Sequence, residues 1–365
     1  MARIAGQLEA LYREPAPDPM ATTARGLLQL GRTAAVVKRH GREALEDLLR
    51  VPPMPVADWL NEWFENETLK GLLAANAVAH LKQGPRSGGT AFTLIHHHVG
   101  SPPGVFPSAA PAVAVPAPAG SPSRAGVTVA RIEVIQGSVT GVTLEGGERI
   151  ACDAVLSGLD PRLTLLDLVD PQWLDPEVSR EIGAIRSRGV AAEITFVLDR
   201  AADFGTLTMA PSLDGIERAY DSVKHGDLSG PPVIEARGFG DQAGHRVIAR
   251  FQYVPPGFSD REEIARRTLA ALSPHSAALR ESVTETRVLT PRDLESSRGW
   301  PQGQPSQAEL ALDQWLWMRP SPSLANYATP VQGLYLCGPA MHPGIPGWCG
   351  ALAATAALKA RRRNS

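Results

Sequence analysis

Three cysteines (Cys152, Cys337 and Cys349) and no C-x-x-C pair exclude a disulfide framework, a redox dithiol and a structural zinc site. Cys349, in a glycine-rich stretch, is either a reactive thiol or a small packing residue. No apolar run approaches the roughly 18 residues of a membrane-spanning helix, and no signal peptide opens the chain, so a soluble, cytoplasmic protein without an integral membrane segment is expected. Excess charge of either sign is also lacking. Lys and Arg (36) nearly balance Asp and Glu (38), for a net −2, which indicates no field for nucleic acid. The Arg361-Arg362-Arg363 tail reads as a solvated helix end. Finally, no G-x-G-x-x-G string occurs. The nearest, Gly238-Phe239-Gly240-Asp241-Gln242-Ala243-Gly244, has the wrong spacing and precedes the strand-like run His245 to Val254, so it reads as a hairpin turn.

What is present is 43% apolar residues, enough for a sizeable core in two domains or one large one. The most specific stretch is GLYLCGPAMHPGIPGWCGALAATAALKA, Gly333 to Ala360. An apolar run (Leu334 to Cys337) enters a loop with glycines at Gly338, Gly344, Gly347 and Gly350, and the chain leaves it near Gly350 as an alanine-rich helix. Such a junction lets backbone N–H groups approach an anion or an electron-rich ring and aims the positive end of a helix at the same place. From the residues alone it is either a cofactor contact or a plain strand-to-helix turn.

Periodicity predicts the rest. From Ala21 to Leu49 and from Val56 to Leu81, apolar residues recur at three- and four-residue intervals, as in amphipathic helices that pack together. Strand patterns at Val127 to Val134, Val139 to Leu144 and Ile150 to Leu156 predict a β-meander. Longer β-rich runs follow at Val190 to Leu198 and His245 to Val254, then a helix at Arg261 to Leu272 and a strand near Thr284 to Leu289. Pro102 to Gly126 mixes Pro, Ala, Ser and Gly without period and predicts a linker. His96-His97-His98 reads as strand, on which only His96 and His98 share a face; without a third ligand, no metal is assigned.

Four collinear stretches, Leu48 to Leu81, Gly84 to Phe92, Ala151 to Pro171 and Glu309 to Gly338, join the Gly333 to Ala360 segment in a resemblance. The chain resembles flavin-dependent oxidoreductases of the phytoene desaturase and carotenoid isomerase type, nearest the branch of pyridine nucleotide-disulphide oxidoreductase domain-containing protein 2. The resemblance implies an α/β plus α+β fold class: a Rossmann-like, amine-oxidase-type FAD/NAD(P)-binding domain, incomplete for want of its N-terminal G-x-G-x-x-G unit, beside a mixed substrate-binding domain. It divides the chain into a helical part of the substrate region (1–95), a linker (96–126), a meander of the flavin domain (127–160), a substrate-binding α+β region (161–300) and a C-terminal flavin-binding piece (301–365).

FAD is the implied cofactor, and a small hydrophobic molecule, polyene-like or otherwise, the implied substrate. Gly338, His342, Pro343, Gly344, Gly347 and Gly350 are the implied cofactor contacts, His342 lying either beside the isoalloxazine or merely ahead of Pro343 to shape the turn. Asp313, Trp315 and Arg319 fall in a family stretch near the substrate channel. There an Asp313–Arg319 pair either meets substrate or pins the loop, and Trp315 with Trp317 either lines the channel or is buried. No catalytic residue emerges: where the family carries His-Gly-Glu, this chain has Gln307-Ala308-Glu309, and the family's Gly-Arg-Asn helix start is replaced by Gly350-Ala351-Leu352-Ala353. Two expectations stand together. One is an FAD-dependent oxidoreductase of desaturase, dehydrogenase or isomerase type; the other is a non-catalytic family remnant, homo-oligomeric or covered by a partner, that no longer holds FAD.

Overall fold

The computed structural model describes residues 1–39, 41–102, 105, 122–241, 244–276 and 279–364, so most of the expected linker lies outside the described residues. The first half holds α1 (Ala2–Tyr12), α2 (Ala24–Arg39), α3 (Arg42–Arg50), α4 (Val56–Asn61), α5 (Glu67–Ala77) and α6 (Thr90–His98), then β1 (Val129–Ile135), β2 (Ser138–Leu144), β3 (Arg149–Ala151) and β4 (Val155–Ser157). There follow α7 (Pro176–Gly183), β5 (Ala191–Leu198), β6 (Thr206–Met209), α8 (Leu213–Lys224), β7 (Val233–Asp241), β8 (Gly244–Gln252) and α9 (Arg261–Leu272). The chain ends with α10 (Leu279–Ser282), β9 (Val283–Leu289), α11 (Pro291–Arg298), β10 (Leu334–Leu336) and α12 (Pro346–Asn364). Two compact units share these elements: Met1–Glu9, His40–Ala112 and Arg188–Pro305 form one, and Ala10–Arg39, Val113–Ser187 and Ser306–Ser365 the other. Where the sequence divides the chain at 160/161 and 300/301, the units divide it at 187/188 and 305/306.

The first unit is built on an antiparallel five-stranded sheet of order β6-β7-β8-β5-β9. Alternation along β5 sends Ala192, Ile194, Phe196 and Leu198 into a core shared with Ile234, Val247, Ala249 and Phe251 and closed by Ile264 and Leu272 of α9. Helix α9 begins where Asp260 accepts the Glu263 N–H at 2.9 Å, and α11 opens on a Thr290–Asp293 capping box with Pro291 at its first position and closes on Gly299 at φ 63°. The string Gly238 to Gly244 holds a hairpin, as read: Gly238 and Gly240 lie at the end of β7, whose last residue, Asp241, pairs with Gly244 at the start of β8.

On the opposite sheet face Glu235 and Arg250, cross-strand partners, form an ion pair with each side chain at most 3% exposed. Next to it on β8, Gln252 Nε2 donates to the carbonyls of Val78 and Leu81 at 2.9 and 3.0 Å, and its Oε1 accepts the His80 N–H at 2.9 Å. One side chain thus satisfies backbone groups that the end of α5 leaves open. The three histidines correct the strand reading: they end helix α6, so their side chains fan around it, and His97 Nδ1 meets Asn76 Oδ1 at 2.9 Å. Burial pushes His97 down to about 4.

The second unit joins an antiparallel meander, β1-β2-β3, to a parallel pair, β4 and β10. The single strand expected over Ile150 to Leu156 is two. β3 completes the meander, and beyond Cys152-Asp153 the chain re-forms as β4, pairing Val155 with Leu334 and Ser157 with Leu336. Its core gathers Leu165, Val169, Ile182, Tyr327, Leu334, Leu336, Met341, Cys349 and Ala353. Cys349 is a packing residue, fully buried, its Sγ–H directed at the Met341 carbonyl at 3.3 Å and its thiol pushed up by burial. Among the described residues no helix is long and apolar enough to cross a membrane.

The buried Glu235–Arg250 pair generates a stability prediction. Removing one partner strands the other charge, so Glu235→Leu is expected to lose about 3–5 kcal/mol in urea unfolding, whereas Glu235→Leu with Arg250→Met recovers most of it.

Candidate functional site

Strand β10, buried at all three residues, delivers the chain into the loop 337–345. Helix α12 then starts at Pro346, four residues before the expected Gly350, because proline is preorganised for the first helical position. Gly347 and Gly350 therefore belong to the first turns of the helix. The amides of Trp348 and Cys349 donate to the Ile345 carbonyl at 3.0 and 2.9 Å, and proline has no N–H. Among the described residues nothing accepts the Gly347 N–H, and no atom lies within 4 Å of where a Cβ would sit at Gly347 or Gly350. The positive end of a 19-residue helix is open at this point.

Behind the loop the packing is tight. A Cβ on Gly338 would lie 2.6 Å from both the Gly158 carbonyl and Gln307 Oε1, so glycine is required there. Gln307 Nε2 donates to the same Gly158 carbonyl at 3.0 Å, while its buried Oε1 has no hydrogen-bond partner. Gly344, at φ +86°, rests against the guanidinium of Arg319, whose Nε and Nη2 would lie 3.2 and 3.3 Å from a Cβ.

Arg319 is fully buried, and every partner it has is a carbonyl oxygen. Its Nε donates to Met341 at 3.2 Å, Nη1 to Glu309 at 2.9 Å and Gln314 at 3.4 Å, and Nη2 to Pro339 at 2.7 Å, Ala308 at 3.2 Å and Ser306 at 3.3 Å. The expected Asp313–Arg319 pair does not form. Asp313 instead forks with Arg186 at 2.5 and 2.6 Å, and Glu309 approaches the same arginine at 3.4 Å. The loop is pinned, as one of the two readings has it, but through backbone carbonyls. Burial pulls Arg319 down to about 10, the cost of a cation without a carboxylate beside it.

His342 sits in the loop ahead of a cis peptide to Pro343 and is wholly buried. Neither ring nitrogen makes a hydrogen bond of good geometry, although the backbone of Glu14 and Leu11 lies close to the ring. Its ring packs edge-on to Tyr12 at 5.5 Å, and Tyr12 stands edge-on to Trp348 at 6.5 Å while its hydroxyl accepts the Trp315 Nε1–H at 3.1 Å. The His342 carbonyl accepts the Tyr327 hydroxyl at 3.1 Å. Burial, with a smaller push from the Arg319 charge, brings His342 down to about 4 against a partial pull upward from the Glu14 and Leu11 backbone, so the imidazole is neutral.

Thus the structure brings Gly338, His342, Pro343 and Gly344 into one loop with Arg319 behind it, and moves Gly347 and Gly350 to the helix start. Trp315 joins the Tyr12 cluster, while Asp313 faces away to Arg186. Sequence reading missed Tyr12, Arg186 and the role of Gln307. The one local signal was Arg319 itself, a cation set among Trp315, Leu316, Trp317 and Met318. The residues present fit a flavin: a glycine-lined approach, an open helix N-terminus and an unbalanced buried cation all favour an electron-rich ring that gains negative charge on reduction.

Comparison with known proteins agrees. The model of the family Flavin containing amine oxidoreductase matches residues 108–358. Pyridine nucleotide-disulfide oxidoreductase domain-containing protein 2 of Rattus norvegicus is 30% identical over 367 residues, covering 88% of this chain and 62% of that protein's length. Phytoene desaturase (lycopene-forming) of Paracoccus sp. (strain N81106 / MBIC 01143) is 27% identical over 254 residues, covering 62% and 48%. In fold, the chain resembles a putrescine oxidase redesigned in its cofactor binding, with a TM-score of 0.50, 13% identity, and coverage of 99% of this chain and 86% of that one. The α/β plus α+β class read from the sequence is that of this amine-oxidase-type fold.

Because His342 is held near 4 against 6.5 when unfolded, the unfolded chain takes up a proton that the folded chain refuses. The stability this withholds is fully present above about pH 6.5 and is lost as pH falls toward about 4. In His342→Leu, the loss of unfolding free energy between pH 7 and pH 4 is expected to shrink by about 3 kcal/mol, measured by denaturant titration at each pH.

Proposed function

This chain belongs to the flavin containing amine oxidoreductase family, and from that premise we propose that it is an FAD-dependent oxidoreductase that withdraws hydride from a hydrophobic substrate, polyene-like or otherwise. The observation that carries the reading is the loop 337–345: an open helix N-terminus and a buried, carboxylate-free arginine bear on one glycine-lined turn. When bound, FAD supplies the hydride acceptor. Gly347 offers its N–H, and Gly338 and Gly344 keep the loop backbone close to Gly158 and Arg319. Tyr12, which Trp315 and Trp348 hold in turn, packs against His342, and burial keeps the imidazole neutral. Glu309 and Asp313 are occupied by Arg186, so neither is assigned acid-base work.

A hydrophobic substrate accords with a cavity of about 580 Å³ in the first unit, lined by Trp59, Leu60, Phe64, Leu69, Leu73 and Leu94 among others. The Paracoccus relative named for phytoene, a hydrocarbon polyene, points the same way.

After incubation with FAD and desalting, the purified chain is expected to keep a visible flavin band. Gly347→Val, which fills the open approach at the helix start, is expected to weaken retention at least about tenfold, or ~1.4 kcal/mol, with the melting temperature unchanged. A wild-type chain that emerges colourless overturns the reading and leaves the family name as a statement of descent.

A further inference from the structure

We propose that Arg319, beyond clamping the loop, sets the redox poise of the flavin by holding an uncompensated positive charge directly behind Gly344. The inference rests on the flavin reading of the same loop and adds a function to a residue that touches no substrate. Its geometry separates charge from structure. Six carbonyl oxygens from Ser306, Ala308, Glu309, Gln314, Pro339 and Met341 consume the donors, yet none carries a formal charge. The groups that act on the guanidinium through space are the Cys349 thiol and the Tyr12 hydroxyl, both buried and protonated. His342 is neutral as well. A full positive charge therefore remains in a region from which water is excluded, where its field is weakly screened.

The open N-terminus of α12 adds a partial charge of the same sign on the loop. Hydride transfer moves two electrons and one proton from substrate to ring, leaving the substrate oxidised by one hydride and the ring with one added negative charge. Arg319 lowers the energy of that product more than of the oxidised ring. The residue is accordingly a positioning and electrostatic group, and its removal shifts an equilibrium that a mere clamp leaves alone.

The test reads the reduction potential of the retained FAD, by dithionite titration against a reference dye, in the wild type and three variants. Arg319→Lys keeps the charge and loses most of the clamp; Arg319→Met loses both. Cys349→Asp keeps the guanidinium and its clamp but places a carboxylate beside it, since Cys349 Sγ and Arg319 Nε already share the Met341 carbonyl. Arg319→Met and Cys349→Asp are each expected to lose about tenfold in preference for the reduced flavin, a fall of ~30 mV for a two-electron couple, while Arg319→Lys stays close to wild type. Cys349→Asp decides the matter where Arg319→Met does not fold. Flavin retained at one potential in wild type and Cys349→Asp overturns this inference alone. A wild type that retains no flavin overturns the reading of the loop, and the inference with it.

Discussion

The buried guanidinium of Arg319 is the constraint on which the second unit's site depends. Its carbonyl partners come from two stretches far apart in sequence, 306–314 and 339–341, and it supports Gly344 at a backbone angle that only glycine adopts easily. A lysine, with three donors on one atom, cannot span the same set. Around it the loop acquires its other features: the close approach of Gly338 to Gly158, the burial of His342 and the entry to α12. The absence of a carboxylate makes the arrangement costly when nothing electron-rich is near, which is the physical reason to regard it as a site rather than a core.

The first unit solves a comparable problem differently. Glu235 and Arg250 are buried on neighbouring strands as a balanced pair, and Gln252 closes the end of α5 with three hydrogen bonds. The glutamine is fully used there, although among the described residues Arg250 Nε, Thr93 Oγ1 and both side-chain polar atoms of Gln7 in the same unit have no hydrogen-bond partner. Behind the loop of the second unit, Gln307 Oε1 is left without a partner.

Much of this was legible in the sequence where the signals are local. Helix α9 runs over the Arg261 to Leu272 that periodicity foretells, and the β5 and β8 strands follow their expected runs within a residue or two. The strand, glycine loop and helix of Gly333 to Ala360 were legible for the same reason, although the helix begins earlier because Pro346, not Gly350, suits its first position. Non-local choices were not legible. Asp313 lies six residues from Arg319 yet pairs with Arg186, 127 residues away, and Ile150 to Leu156 divides between two sheets because its partners lie in different parts of the chain. The histidine run adopts helix because α6 packs on α5, a tertiary contact that overrides the local pattern.

The proposed function has a flavin held by its ring end, at the loop backed by Arg319. Calorimetric titration of the purified chain with riboflavin, FMN, FAD and ADP separates the ring from the rest of the cofactor. The three ring-bearing ligands are expected to bind with similar Kd and ADP not to bind, because the chain carries no G-x-G-x-x-G turn. ADP binding as tightly as FAD, with no affinity for riboflavin, would contradict it.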